Sequence, residues 1–439
     1  MKELEGENED LNNVFTDNSK KVKYLKSAAI YGANGSGKSN LFSALSFFRA
    51  FILNSSRESL AEEEIKVTPF LFSSLTEKLE SSFEMIFMIE DTRYRYGFEV
   101  TKNEIVSEWL FFLNTNESTR ESNCFTREYQ EIKVNSKTFR EGKDVETRTR
   151  KNTLFLSSVA QWNGEKSILI QNWFKEHINI LSGDSTDTVG YTVNKFLNNP
   201  TFKKTVIDFI RLVDVGIEDI HIEEQILGEV IPEITEAKKY PKINSLISEL
   251  QEELKKNFSQ SGLKKLERKE FEITSYHKKY DEAMNLMELA ELKFGLESAG
   301  TQRLFALLGP WFDTLENGSV LVIDEFGSNI HTKLSIELLK IFQSTINTTN
   351  AQLIFASHDT NLLRNDLFRR DQIWFTEKDS ASGSSDLYSL VEYKINQATS
   401  VRNDASFEKD YLIGKYGAIP YFGDIARFVN EFSKTADDE

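Results

Sequence analysis

The sequence predicts an α/β fold: a mixed sheet covered by helices, with an antiparallel β lobe and a helical insert. Three observations predict it. First, "AAIYGANGSGKSNLFSAL" at 28–45 sets a short apolar run, a glycine-rich turn and an apolar-periodic helix in series. Second, "SSFEMIFMIED", "RYRYGFEV" and "EIVSEWLFFLN" alternate with period two and are rich in aromatic and β-branched residues, which reads as an antiparallel meander. Third, the apolar runs "GSVLVIDEF", "AQLIFASHD", "DQIWFTEK" and "DLYSLVEYK" lie beyond residue 290 and share that region with a helical stretch at 331–347. Strands alternating with helices imply a parallel sheet covered on both faces.

Residues 1–23 are polar and read as loop. "KSAAIYG" is a buried strand, and 38–53 a helix with Leu41, Leu45, Phe48 and Ala50 at helical spacing. "NTLFLSSVAQ" (152–161) reads as a further strand, followed by a helix over 166–181. Residues 191–215 read as helical, and "GIEDIHIEEQI" (216–226) alternates like an edge strand. From Glu233 to about Lys269 the pattern is charged and helical, broken near Gly262, which suggests a helical hairpin or short arm. Lys255, Lys256, Lys264, Lys265, Arg268 and Lys269 make it the most basic part of the chain. A solvated face laced with Glu–Lys pairs explains them, and an arm that docks nucleic acid or a partner is the alternative. "SASGSSD" (380–386) is a hairpin loop, and the glycines and proline of "YLIGKYGAIPYFGD" mark turns. The expected division is an N-terminal lobe 1–165, a helical subdomain 166–290 carrying the insert 233–269, and a C-terminal lobe 291–439.

With 439 residues, 39% hydrophobic and 28% charged, the chain suits two or three ordinary domains. Its net charge of −16 argues against a general nucleic-acid-binding surface, so any DNA or RNA contact would be local or supplied by a partner. A single cysteine, Cys124, excludes an internal disulfide framework and a cysteine-built zinc site. No run approaches the roughly 18 apolar residues of a membrane span. The acidic start, "MKELEGENEDLNN", matches neither a signal nor a transit peptide. A cytoplasmic protein with no membrane contact is expected.

Gly32–Ser39, "GANGSGKS", matches G-x-x-x-x-G-K-[ST] between a strand and a helix. Its glycines let successive backbone N–H groups face phosphates, and the helix N-terminus adds its positive dipole end. Gly32, Ala33, Asn34, Gly35, Ser36, Gly37 and Asn40 would surround the phosphates of a nucleotide. Lys38 would reach the β- and γ-phosphates, and Ser39 would ligate Mg²⁺. "VLVIDEF" places Asp324 and Glu325 at the end of a buried strand, where Asp324 suits Mg²⁺ and Glu325 suits a general base acting on water. His358 ends the next apolar strand, where a catalytic or sensing role is expected of it; His177, His221, His277 and His331 read as structural. Gln161 follows "NTLFLSSVA" and offers an amide to Mg²⁺ or the attacking water. Ser298, Ala299, Gly300, Thr301 and Gln302 open a helix about twenty residues before the acidic pair. They form a second anion-binding helix start, which makes sense if it caps a phosphate held by another subunit.

Taken in order, these motifs resemble those of ABC-type ATPase heads. Gly32–Ser39 resembles Walker A, Gln161 a Q-loop glutamine, and Ser298–Gln302 ("SAGTQ") the LSGGQ signature. Asp324–Glu325 resembles Walker B with its catalytic glutamate, Ser328–His331 ("SNIH") the D-loop, and His358 the switch histidine. "LKSAAIYGANGSGKSNL", "ESAGTQRLF", "RRDQIWFTEKD", "LYSL" and "GKYGAIPY" are similar to bacterial non-transporter ABC ATPases of abortive-infection and phage-defence operons. That group, often described as AAA family ATPases, is related to OLD, Septu and SMC/Rad-type heads. The resemblance implies hydrolysis of ATP with Mg²⁺ by a homodimer or higher homo-oligomer. Each ATP would lie between one P-loop and the partner's signature. It also implies an effector nuclease encoded nearby, rather than an appended toprim or HNH domain. Members usually open with a strand carrying an "ENF-R-SF" sequence, which this chain lacks. Ala299 and Thr301 depart from LSGGQ, and His331 stands where the D-loop has aspartate. Two functions stay open here: a defence sensor that regulates a nuclease, and an SMC-like head for DNA repair or DNA-end binding. Repair heads carry long coiled-coil arms, whereas the charged insert here is short. A transporter subunit comes third.

Overall fold

A computed structural model describes residues 12–16, 22–58, 63–116, 118–181, 187–214, 216–229, 267–395, 399–402 and 405–420. The chain divides into two compact units, Met1–Thr188 with Pro310–Glu439, and Val189–Gly309.

The first unit is built on a six-stranded sheet. Its strands run in the order Ser385–Ser389, Ile373–Lys378, Ser27–Gly32, Gln352–Ala356, Val320–Ile323 and Ile178–Leu181. Neighbours are parallel except Ser385–Ser389, which closes one edge antiparallel. This is the mixed α/β sheet that the sequence predicts. All six residues of Ser27–Gly32 are buried, because a central parallel strand has no solvent face, so its sequence is an unbroken run of small and apolar residues. The carboxyl ends of Ser27–Gly32, Gln352–Ala356 and Val320–Ile323 fall along one edge of the sheet, the edge at which such sheets build ligand sites.

The helix Lys38–Glu58 leaves that edge and carries its second half into another core. Five strands, Ser81–Ile89, Thr92–Val100, Ile105–Asn114, Ser122–Glu128 and Glu131–Val134, form the expected antiparallel meander. Phe48 of the helix stacks on Phe98 of the meander at 5.2 Å between ring centroids and meets Phe174 edge-on at 5.6 Å. Such pairs add about 0.5–1.5 kcal/mol each beyond their burial. One helix therefore joins the glycine-rich loop to the aromatic core of the lobe.

Two expectations are corrected here. Residues 155–161 form a helix, Phe155–Gln161, where a strand was expected. Phe155 to Ala160 are all buried, and a fully apolar run carries no period that separates a strand from a buried helix. Tertiary structure decides it. The Glu108 carboxylate, fully buried, accepts the Phe155 and Leu156 N–H groups at 2.6 and 3.0 Å and so caps the helix start. The expected helix over 166–181 ends earlier, as Glu165–His177, and Ile178–Leu181 becomes the edge strand beside Val320–Ile323.

The second unit holds the helix Pro200–Val213, most of the helix Asp187–Asn198, and a three-stranded antiparallel sheet. Its strands are Ile217–Glu229, Glu267–Tyr280 and Leu286–Lys293. The edge strand expected at 216–226 is present, but the helical reading of the charged stretch fails at its end, since 267–269 already belong to a strand. Alternation in "FEITSYHKKY" carries that strand onward. Residues 233–266 of the insert, with Lys255, Lys256, Lys264 and Lys265, lie outside the described residues.

Candidate nucleotide site

The glycine-rich loop runs from the end of Ser27–Gly32 to the start of the helix Lys38–Glu58. Two glycines are demanded by geometry. A Cβ on Gly32 would stand 2.4 Å from the Thr376 hydroxyl, and Gly37 sits at φ +109°, a region L side chains rarely adopt. The loop is fastened to the neighbouring strand by a hydrogen bond of 2.6 Å between the Ser36 and Thr376 hydroxyls. Lys38 folds across the loop, donating to the Gly32 carbonyl at 2.7 Å and the Ala33 carbonyl at 3.0 Å. Burial lowers its pKa, and the nearby Asp324 and Glu325 carboxylates pull the other way.

Asp324 and Glu325 follow the strand Val320–Ile323 directly. The Asp324 N–H donates to the Leu181 carbonyl at 3.0 Å, so the edge strand that sequence reasoning missed steadies the acidic pair. Glu325 takes φ +58°, Gly327 +87° and Asn329 +61°, so every second residue of the turn is left-handed. His358 follows the strand Gln352–Ala356 and is exposed. Partial burial lowers its pKa, Lys38 adds to the shift, and Glu325 and Asp324 oppose it. At neutral pH the ring is therefore an uncharged donor and acceptor.

These groups share one cavity of about 800 Å³, lined by Asn34, Gly35, Gly37, Lys38, Ser39, Asn40, the acidic pair and His358. That volume is within the usual range for ligand sites of roughly 300–1,000 Å³. The donor set fits a polyphosphate with a divalent cation: a backbone loop at a helix start, one ammonium, one hydroxyl and one carboxylate. Gly32, Ala33 and Ser36 belong to the same loop and line a neighbouring cavity, which shares Asn34, Gly35 and His358 with the first.

Gln161 and Ser298–Gln302 are not among the residues that line this cavity. Gln161 lines a separate cleft of about 400 Å³ with Ser56, Arg148, Arg150, Thr153, Ser158 and Trp162. A helix rises about 1.5 Å per residue, so Ser56 stands about 25 Å along the axis from Ser39. Gln161 therefore does not line the cavity that Lys38, Asp324 and His358 share: its helix packs against the far end of Lys38–Glu58. The segment Ser298–Gln302 belongs to the second unit, where Ser298 caps the helix Ala299–Asn317 by accepting the Thr301 N–H at 3.0 Å. The Thr301 hydroxyl donates to Asp214 at 2.6 Å, and the Gln302 amide donates to the Glu297 carbonyl at 2.8 Å. These two side chains build the turn, leaving Ser298 and Ala299 exposed at its tip and Gly300 half-buried. His331, read as structural, accepts the Lys333 N–H at 3.1 Å and caps the helix Thr332–Gln343. Thr376 was missed altogether, since nothing local marks a threonine 340 residues from its partner.

The fold is similar to an SMC head bound to the C-winged helix domain of ScpA, at 13% identity over 84% of this chain and 92% of that one, with a TM-score of 0.39. An SMC head domain from Thermotoga maritima matches at 13% identity over 86% and 96%, with a TM-score of 0.33. The recombination mediator RecF matches at 15% identity over 85% and 96%, with a TM-score of 0.26. No curated protein matches the sequence. A family model described as "AAA domain, putative AbiEii toxin, Type IV TA system" matches residues 27–364, most of the chain, and the protein belongs to that family of P-loop ATPase domains.

Proposed function

We propose that the protein is a cytoplasmic ATPase that binds and hydrolyses ATP with Mg²⁺ and closes as a homodimer around the nucleotide. In this reading it is the sensor and regulator of a partner effector nuclease in bacterial anti-phage defence. The observation that carries the enzymatic part is the convergence of Lys38, Asp324, Glu325 and His358 on one cavity from three neighbouring strands. Ser39 and Asp324 would hold Mg²⁺, which supplies neutralisation of phosphate charge when bound. Lys38 is placed to exchange its two carbonyl partners for phosphate oxygens. Glu325 is exposed at the cavity wall, where it can take a proton from an attacking water. His358, uncharged, can accept or donate a hydrogen bond at the γ-phosphate end. Phosphoryl transfer is mostly positioning and electrostatics, so this short list suffices.

Dimer closure is supported by the separate anion-binding turn at Ser298–Gln302, which presents an exposed helix start. The defence role rests on the sequence segments named above and on the family's description. Glu325→Gln should lower turnover by about 10²–10⁴, the usual loss for a general base, while ATP binding and dimer formation persist. Wild-type turnover in that variant would refute the assignment. Co-purification of a nuclease with the tagged chain tests the regulatory half. Stable binding of DNA ends by the isolated chain would instead favour the repair-head alternative.

A further inference from the structure

Ser357 lies between the strand Gln352–Ala356 and His358 and is 1% exposed. Its hydroxyl donates its single proton to the Phe326 carbonyl at 2.9 Å and accepts the Asp359 N–H at 3.1 Å. Phe326 is the residue after Glu325, and Asp359 the residue after His358. One buried oxygen thus ties the loop that carries the acidic pair to the loop that carries the histidine. Backbone bonds complete the arrangement. The Phe326 N–H donates to the Ala356 carbonyl at 2.8 Å, so both backbone polar groups of Phe326 are held by the neighbouring strand end. On the other side of Glu325, Asp324 is held by Leu181. Glu325 is therefore pinned at both flanks in its left-handed conformation while its side chain stays exposed. Asp359 is fixed in turn, since its carboxylate accepts the Thr332 hydroxyl at 2.6 Å and its carbonyl accepts the Tyr31 hydroxyl at 3.2 Å.

We propose that Ser357 is a positioning residue for ATP hydrolysis, setting the placement of Glu325 relative to His358 without touching nucleotide. The inference rests on the ATPase reading above. Alanine would leave the Phe326 carbonyl and the Asp359 N–H without their shared partner, and both loops would gain freedom where the chemistry needs a fixed distance. The P-loop does not depend on this hydroxyl, so ground-state binding of ATP should be spared. A built-in control lies close by. Ser335 is also fully buried, and its hydroxyl faces the same Gly327 turn, but it makes no hydrogen bond among the described residues.

The test uses the full chain and measures steady-state ATP turnover alongside equilibrium binding of a fluorescent ATP analogue. Ser357→Ala should lower kcat about ten- to hundredfold, with affinity changed less than about twofold. Ser357→Thr, which keeps the hydroxyl, should recover most of the loss, and Ser335→Ala should match wild type. Wild-type kcat in Ser357→Ala overturns the proposal. So does a parallel fall of kcat, affinity and melting temperature, with Ser335→Ala falling alike, because that pattern means general loosening. No turnover in the wild-type chain overturns the ATPase reading and this inference together. Wild-type turnover that is lost in Glu325→Gln but unchanged in Ser357→Ala overturns this inference alone.

Discussion

Glu325 occupies a conformation that suits glycine or asparagine, and its neighbours in the turn show the contrast. Gly327 and Asn329 take their left-handed angles cheaply, whereas a glutamate at φ +58° costs about 1–2 kcal/mol. The strain places a carboxylate, the group the proposed chemistry needs, where relaxed backbone would place something else. Glu325→Gly should therefore raise stability by about 0.5–1 kcal/mol, read from the urea midpoint, while abolishing turnover. An unchanged or lowered midpoint would show that the turn holds no such strain. Legibility at this scale follows sequence distance. Gly32 to Ser39 are contiguous, and their chemistry is local, so the pattern alone exposes them. Asp324, Glu325 and His358 were legible because each ends an apolar strand. Thr376 and Ser357 were not, since each acts through a bond to a residue distant in sequence.

Among elements, the helix Ala299–Asn317 shows how a local fault is repaired from elsewhere. Pro310 lies inside it and lacks an N–H, which leaves the Ala306 carbonyl without its intrahelical donor. The Thr192 hydroxyl supplies one at 2.8 Å and accepts the Gly309 N–H at 3.2 Å, from a fully buried position. Thr192→Val keeps the shape and removes both bonds, so it should cost about 1–3 kcal/mol of unfolding free energy in denaturant titration. A change below a few tenths would mean that the carbonyl is satisfied by other means. Elements whose patterns have a period, such as the meander, were readable. The helix Phe155–Gln161 was not, because its apolar run is periodless and its capping group, Glu108, comes from a strand 47 residues away. That helix ends in Gln161 and sets it in the cleft beside Ser56. The strand Ile178–Leu181 escaped notice because four residues at the end of a helix are too few to announce a change of period.

For the whole molecule, no helix among the described residues is long and apolar enough to cross a membrane, and the net charge is −16. The fold class was legible because strand–helix alternation survives in sequence. The make-up of the middle segment was not, since heavy charge masked the alternation of the strands Glu267–Tyr280 and Leu286–Lys293. The exposure of Glu325 and His358 has a kinetic meaning. If a second copy must cover them, the reaction order in protein exceeds one, and turnover per chain should climb with concentration until the dimer saturates. A dilution series of the wild-type chain at fixed ATP measures this directly, and a flat profile would argue for a self-sufficient monomer. A protein with that property acts as a census of its own copies: scarce chains hold nucleotide almost idle, and abundance alone turns the cycle on.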